Sequence, residues 1–137
     1  MGKNTNIDVL NRAVAAWNAQ DLNGYLTLYA DDAILHFLPP GLPPGVDGAR
    51  LFYGGVLAAF PGTTLVMDDV IAEGDSIAAR FHMNMRHEGE FQGIPPTGKD
   101  VVLIGMTILH FADGKVVERW SESDFVGLLR QLGAFPE

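Results

Sequence analysis

The stretch Val101-Val102-Leu103-Ile104-Gly105-Met106-Thr107-Ile108-Leu109-His110-Phe111, followed by Ala112-Asp113-Gly114 and by Lys115-Val116-Val117-Glu118-Arg119-Trp120-Ser121-Glu122-Ser123-Asp124, decides the fold. Two runs rich in β-branched and aromatic residues flank a turn, and a helical period returns from Phe125 to Leu132. The pattern predicts an antiparallel hairpin closed by a short amphipathic helix. Both faces of the first strand are apolar: Val102, Ile104, Met106 and Ile108 on one side, Leu103, Leu109 and Phe111 on the other. A sheet covered by helices on one side needs one apolar face only. The second face therefore predicts a homodimer through the outer side of the sheet.

A three-residue loop Ala112-Asp113-Gly114, with its glycine left-handed, sets the register. Phe111 then opposes Lys115, Thr107 opposes Arg119 and Gly105 opposes Ser121. Odd-numbered residues share the inner face: Leu103, Gly105, Thr107 and Leu109 beside Val117, Arg119, Ser121 and Ser123. Small polar side chains next to Leu and Gly on a concave surface suit a cavity floor.

Upstream, alternation marks two more strands, about Thr63–Ala72 and Ser76–His87, joined by Glu73-Gly74-Asp75. Before them the period is 3.6. Thr5 as N-cap opens a helix carrying Ile7, Leu10, Val14 and Trp17, and Leu22, Tyr25, Leu26 and Tyr29 form a second one. Ala33 to Leu38 reads as a strand that stops at the loop Pro39-Pro40-Gly41-Leu42-Pro43-Pro44-Gly45. Asp47 N-caps a third helix with Ala49, Phe52, Val56, Leu57 and Phe60, ended by Pro61-Gly62. The expected fold is α+β in one domain over residues 1–137: three N-terminal helices on a curved antiparallel sheet and a short C-terminal helix.

The 137 residues, 47% apolar and 19% charged, suffice for one core. A formal charge of −8 argues against nucleic acid and anionic membranes as partners. The absence of cysteine excludes disulfides and thiolate chemistry. No signal-peptide core or spanning segment is visible, so a cytoplasmic protein is expected. The four histidines show no close pair at metal spacing on one face, which predicts no metal site.

The pieces Gly89-Glu90-Phe91, Gly93-Ile94-Pro95-Pro96-Thr97-Gly98-Lys99, Asp113-Gly114-Lys115-Val116-Val117-Glu118, Asp124 and Leu132-Gly133 resemble, in order and spacing, the SnoaL-like polyketide cyclase family. The resemblance implies the cone-shaped (cystatin-like) fold shared with nuclear transport factor 2, ketosteroid isomerase and limonene epoxide hydrolase. It also implies cofactor-independent aldol-type ring closure, with an Asp as general acid/base and a His on the neighbouring strand. Those two positions fall on Ser121 and Thr107, which match neither residue. The base of ketosteroid isomerase would fall near His36-Phe37, and its acidic oxyanion donor near Thr107.

The catalytic candidates are therefore His36 and His87, able to exchange protons near neutral pH, and Asp124, the nearest carboxylate. Asp124 also stands where it could N-cap the last helix. His87 could instead hold the Glu88–Lys99 loop. The substrate-binding candidates are Trp17, Tyr25, Tyr53, Thr107, Arg119 and Ser121, around a hydrophobic small molecule; Tyr29, like the other aromatics, could close the pocket or serve core packing. A buried guanidinium needs an anion, and Asp68 or Asp69 is the expected partner for Arg119. Glu118 and Trp120 belong on the outer face. Three functions compete: a cyclase/isomerase-type enzyme on a hydrophobic carbonyl compound, a non-catalytic binding domain that lost the acid/base pair, and an epoxide-hydrolase-like hydrolase.

Overall fold

The computed structural model describes residues 3–134. Its elements are α1 (Lys3–Asn18), α2 (Leu22–Leu26), β1 (Tyr29–Leu35), α3 (Gly45–Ala59), β2 (Thr64–Glu73), β3 (Ser76–Arg86), β4 (Asp100–Ala112), β5 (Lys115–Ser123) and α4 (Phe125–Gln131). The strands form one sheet in the order β1-β5-β4-β3-β2. The class is the α+β one expected, but the sheet is mixed, because β1 runs parallel to β5. The core lies between the inner face and the helices, built around Trp17, Tyr29, Phe60, Leu28, Ile77, Leu109 and Leu128.

Several boundaries differ from the sequence reading, and the first strand, read as Ala33 to Leu38, ends at Leu35. Thr5 lies inside α1 rather than at its cap. Pro44 takes the N-cap position of α3, which leaves Asp47 in the first turn, where its charge suits the helix dipole. Tyr29 opens β1 instead of continuing α2. That short helix is capped by Asp21, whose carboxylate accepts from the Gly24 amide, and it closes where the Thr27 hydroxyl donates back to the Gly24 carbonyl. Leu28 and Tyr29 are thereby released to the sheet, where the Val116 amide donates to the Leu28 carbonyl.

The β4–β5 turn also differs. Asp113 and Gly114 both have left-handed backbones, φ 52° and 77°, the geometry of a two-residue hairpin turn. Ala112 therefore faces Lys115 and Phe111 faces Val116. A two-residue turn alone would put opposite parities on one face. A register shift beyond Phe111 intervenes: His110 pairs with Glu118, so Val117 is the extra residue of a bulge. Parity is restored from Arg119 onward, displaced by two residues from expectation. Thr107 stands opposite Ser121, and Gly105 opposite Ser123. Glycine is needed at 105, because a Cβ there would lie 2.6 Å from Phe81 Cζ and 2.9 Å from the Glu122 carbonyl oxygen.

Two side-chain amides pair with strand backbone as a neighbouring strand would. Asn18 of α1 exchanges hydrogen bonds with Leu65 at 2.7 and 3.0 Å, and Gln131 of α4 does so with Val102 at 2.7 and 2.8 Å. The second clasp fixes α4 beside the part of β4 that β5 does not reach.

Candidate active site

Beneath the helices the inner face opens into a cavity of about 320 Å³. Its walls are Trp17 of α1, Tyr25 of α2, Phe52, Tyr53 and Val56 of α3, Phe81, Met83 and Met85 of β3, Leu103 of β4 and Phe125 and Leu128 of α4, with Phe91 from the 88–99 loop. Arg119, Ser121, Glu122 and Ser123 of β5 supply its polar strip. A largely apolar chamber with a few converging polar groups is the usual form of a small-molecule site.

Arg119 organises the floor. Its residue is 8% exposed. Nε donates to Thr107 Oγ1 at 2.9 Å, and Nη1 lies 2.5 Å from the Tyr29 hydroxyl and 3.1 Å from those of Tyr25 and Tyr53. The three hydroxyls also lie 2.9–3.2 Å from one another. These are all the tyrosines in the chain. The rings of Tyr25 and Tyr53 meet edge-on at 5.0 Å, Trp17 packs edge-on against both, and the guanidinium lies over the Phe37 ring at 5.0 Å. The expected ion pair with Asp68 or Asp69 does not form. Asp68 serves His82, at 2.7 Å, and Arg80 on the opposite face, and among the described residues Arg119 makes no ion pair.

Burial raises the phenol pKa of both Tyr29 and Tyr53, and the guanidinium only partly offsets this. For Arg119, burial works against the charged form, but the tyrosine oxygens outweigh it and hold the side chain protonated. The cluster is thus one cation ringed by neutral phenols.

Thr107 and Ser121, where the resemblance puts a His and an Asp, are cross-strand partners here. The Thr107 hydroxyl donates to the Trp120 carbonyl at 2.6 Å while accepting from Arg119. His36 borders the cavity mouth, but its ring stacks on Trp120 at 4.9 Å and its Nε2 meets Glu118 at 2.7 Å, on the outer side. His87 is fully buried under Phe60. Its Nδ1 accepts the Thr97 amide at 3.1 Å, and its backbone bonds to Gly98 and Lys99, so it holds the 88–99 loop. Asp124 N-caps α4, accepting from the Gly127 amide at 2.8 Å. The three catalytic candidates therefore lie at three separate places, while Trp17, Tyr25, Tyr53, Arg119 and Ser121 meet in one wall. Sequence reasoning missed the convergence of the tyrosines on Arg119. The available signal was one arginine at an inner strand position in a chain with three tyrosines. Among the described residues, no three His, Cys, Asp or Glu side chains gather as a metal-binding group.

A cone of helices over a curved sheet, enclosing an apolar chamber with a polar floor, defines a pocket protein of the nuclear transport factor 2-like class. The chain belongs to the SnoaL-like polyketide cyclase family, which it matches over residues 7–132. It is 28% identical over 136 residues to the aklanonic acid methyl ester cyclase DnrD of Streptomyces peucetius, covering 94% of this chain and 91% of that protein. A 59-residue match to the cyclase AcmA of Streptomyces galilaeus, 39% identical, spans 43% of this chain and only 41% of that protein. Among solved structures, AclR of Streptomyces galilaeus, whose proposed activity is hydroxylation, superposes with a TM-score of 0.85 at 34% identity, covering 98% of this chain and 89% of that one. TsrD of Streptomyces laurentii does so with a TM-score of 0.88 at 26% identity, covering 98% and 99%.

Proposed function

We propose that the protein is a cyclase/isomerase-type enzyme acting on a hydrophobic carbonyl compound without a cofactor. The observation that supports this is the buried guanidinium–tyrosine floor, a set of fixed donors at the inner end of an apolar chamber. Such preorganised donors stabilise an oxyanion as it forms, the largest single contribution in many enzymes. In an aldol-type ring closure, a proton leaves the carbon between two carbonyl groups. The C–H electron pair forms the new bond to the carbon of a third carbonyl group, whose π pair moves to its oxygen, and that oxygen takes up the proton. The enolate oxygen would face Arg119. Among the described residues, no histidine or carboxylate bonds to Ser121, so the acidity of a doubly activated carbon and water would carry the proton. Ser121 orients the substrate.

The test is incubation with aklanonic acid methyl ester, the compound in the names of the curated relatives, and chromatography for ring closure. Ring closure abolished in Arg119→Gln supports the reading. Tight binding without turnover of this or related polyketide esters would instead make the protein a binding domain, which the lack of an acid/base pair at Thr107 and Ser121 favours.

We further infer that the outer face pairs with a second copy. Val66, Ile71, Val102, Ile104, Met106, Ile108, Trp120 and Ile34 are 38–65% exposed there. A contiguous exposed apolar patch of this kind, on one face of a sheet, marks a protein–protein interface.

A further inference from the structure

Arg119 is a cation in a buried place with no anion opposite it. Of the five N–H groups of a guanidinium, Nε–H is used by Thr107 and the Nη1 pair by the tyrosines. The Nη2 pair has no partner among the described residues, and Arg119 lines the cavity. We propose that the cavity selects ligands bearing a full negative charge on oxygen, a hydrophobic aromatic carboxylate or the anion of an acidic enol or phenol, and that this oxygen docks on the Nη2 edge of Arg119. The proposal rests on the pocket reading above and narrows its substrate class from hydrophobic carbonyl compounds to hydrophobic acids.

Three observations carry it. A buried, hydrogen-bonded charge without a counter-ion bears a desolvation cost that an anion relieves directly. Among the described residues no carboxylate bonds to Arg119: Thr107 is committed to Arg119 and to the Trp120 carbonyl, Ser121, opposite it, is neutral, and Glu122, the carboxylate that borders the cavity, is exposed at the outward parity of β5, where it also borders the outer-face groove. The other polar groups of the wall do not compete for the role. The tyrosine hydroxyls satisfy one another, and Trp17 presents an indole N–H, a donor, which has no partner among the described residues. The position that the family resemblance assigns to an aspartate is thus the one where a carboxylate would have neutralised Arg119 from within. Serine there leaves the charge for the ligand. The net charge of −8 over the whole chain makes this positive chamber a local exception.

The experiment titrates the protein at fixed ionic strength and pH 7 with two matched pairs: 2-naphthoate against methyl 2-naphthoate, and 2-hydroxy-1,4-naphthoquinone against its methyl ether. Calorimetry reads the affinities. At least one anion should bind about tenfold or more tighter than its neutral partner, the scale of one charge-assisted bond. Discrimination in the first pair alone identifies a carboxylate, and in the second alone an enolate. The preference should vanish in Arg119→Gln and in Ser121→Asp, and persist in part in Arg119→Lys. Equal affinities within both pairs, or a preference undiminished in Ser121→Asp, would overturn the proposal, and that variant serves if Arg119→Gln does not fold. Anion selectivity without ring closure counts against the cyclase reading alone. Ring closure without anion selectivity counts against this inference alone.

Discussion

The two faces of the five-stranded sheet reverse the usual distribution of charge. The inner face, covered by helices, holds a buried arginine without a carboxylate. The outer face carries carboxylates with partners, Glu118 against His36 and Asp68 against His82 and Arg80, among exposed Ile, Met, Val and Trp. Strand alternation places both sets only one residue apart along β5, where Arg119 points in and Glu118 and Trp120 point out. The difference teaches that charge and apolar surface have traded places: among the described residues the inner face holds a cation that no carboxylate pairs, and the outer face leaves large apolar side chains exposed.

The sharpest way to break the comparison is to remove the inner charge. Arg119→Met should lower kcat for ring closure by about 10²–10³-fold, the scale of losing an oxyanion donor. Its fold should persist, because the tyrosine hydroxyls still bond to one another and the apolar side chain carries no desolvation cost. A fall in stability with kcat retained would make Arg119 structural. On the other face, Met106→Glu combined with Ile108→Glu should yield a 14.8 kDa monomer in sedimentation. Ligand affinity in the cavity should be unchanged. A wild-type monomer would remove the outer-face interface altogether.

A pH titration sharpens the inner side. The phenol pKa values of Tyr29 and Tyr53 are raised in the fold, so the native state holds protons that the unfolded chain releases above about pH 10. Their contribution is complete below that pH and is lost as pH rises through the native values. Stability should therefore fall above pH 10, with tyrosinate absorbance from these residues appearing together with loss of near-UV circular dichroism. Absorbance that rises before unfolding would contradict their burial.

Two smaller effects complete the series. Thr107→Val removes the Nε acceptor of Arg119 and should cost about 1–2 kcal/mol in transition-state stabilisation, read as kcat/KM, while Thr107→Ser restores it. Asp124→Ala should lower the melting temperature by roughly 3–5 °C through loss of the α4 cap, worth about 1 kcal/mol. Asp124→Asn should recover most of that stability and leave turnover intact. Turnover lost in Asp124→Asn at normal stability would return Asp124 to the reacting groups.

Much of the fold was legible because the relevant signals are local. Alternation located β2 to β5 within one or two residues, and the Asp124 cap followed from its place before an amphipathic run. The turn at Asp113-Gly114 is one residue shorter than the pattern predicts, yet Arg119, Thr107 and Ser121 still share one face, because the bulge at Val117 offsets the shorter turn. The site was less legible. His36 sits at the end of a strand, and the Trp120 stack and the Glu118 carboxylate, which turn its ring outward, come from a strand some eighty residues away in the chain.

By itself the sequence determined the α+β order and the inner and outer faces of β4 and, from Arg119 onward, of β5. Those are consequences of side-chain period and residue identity. Only the tertiary structure decided that Tyr25, Tyr29 and Tyr53, from α2, β1 and α3, close on Arg119 in place of Asp68 or Asp69. The reason is reach across the sheet. Asp68 lies on the opposite face, where His82 and Arg80 claim it, and no rule of spacing along one strand can report which hydroxyls from three other elements arrive on the inner side.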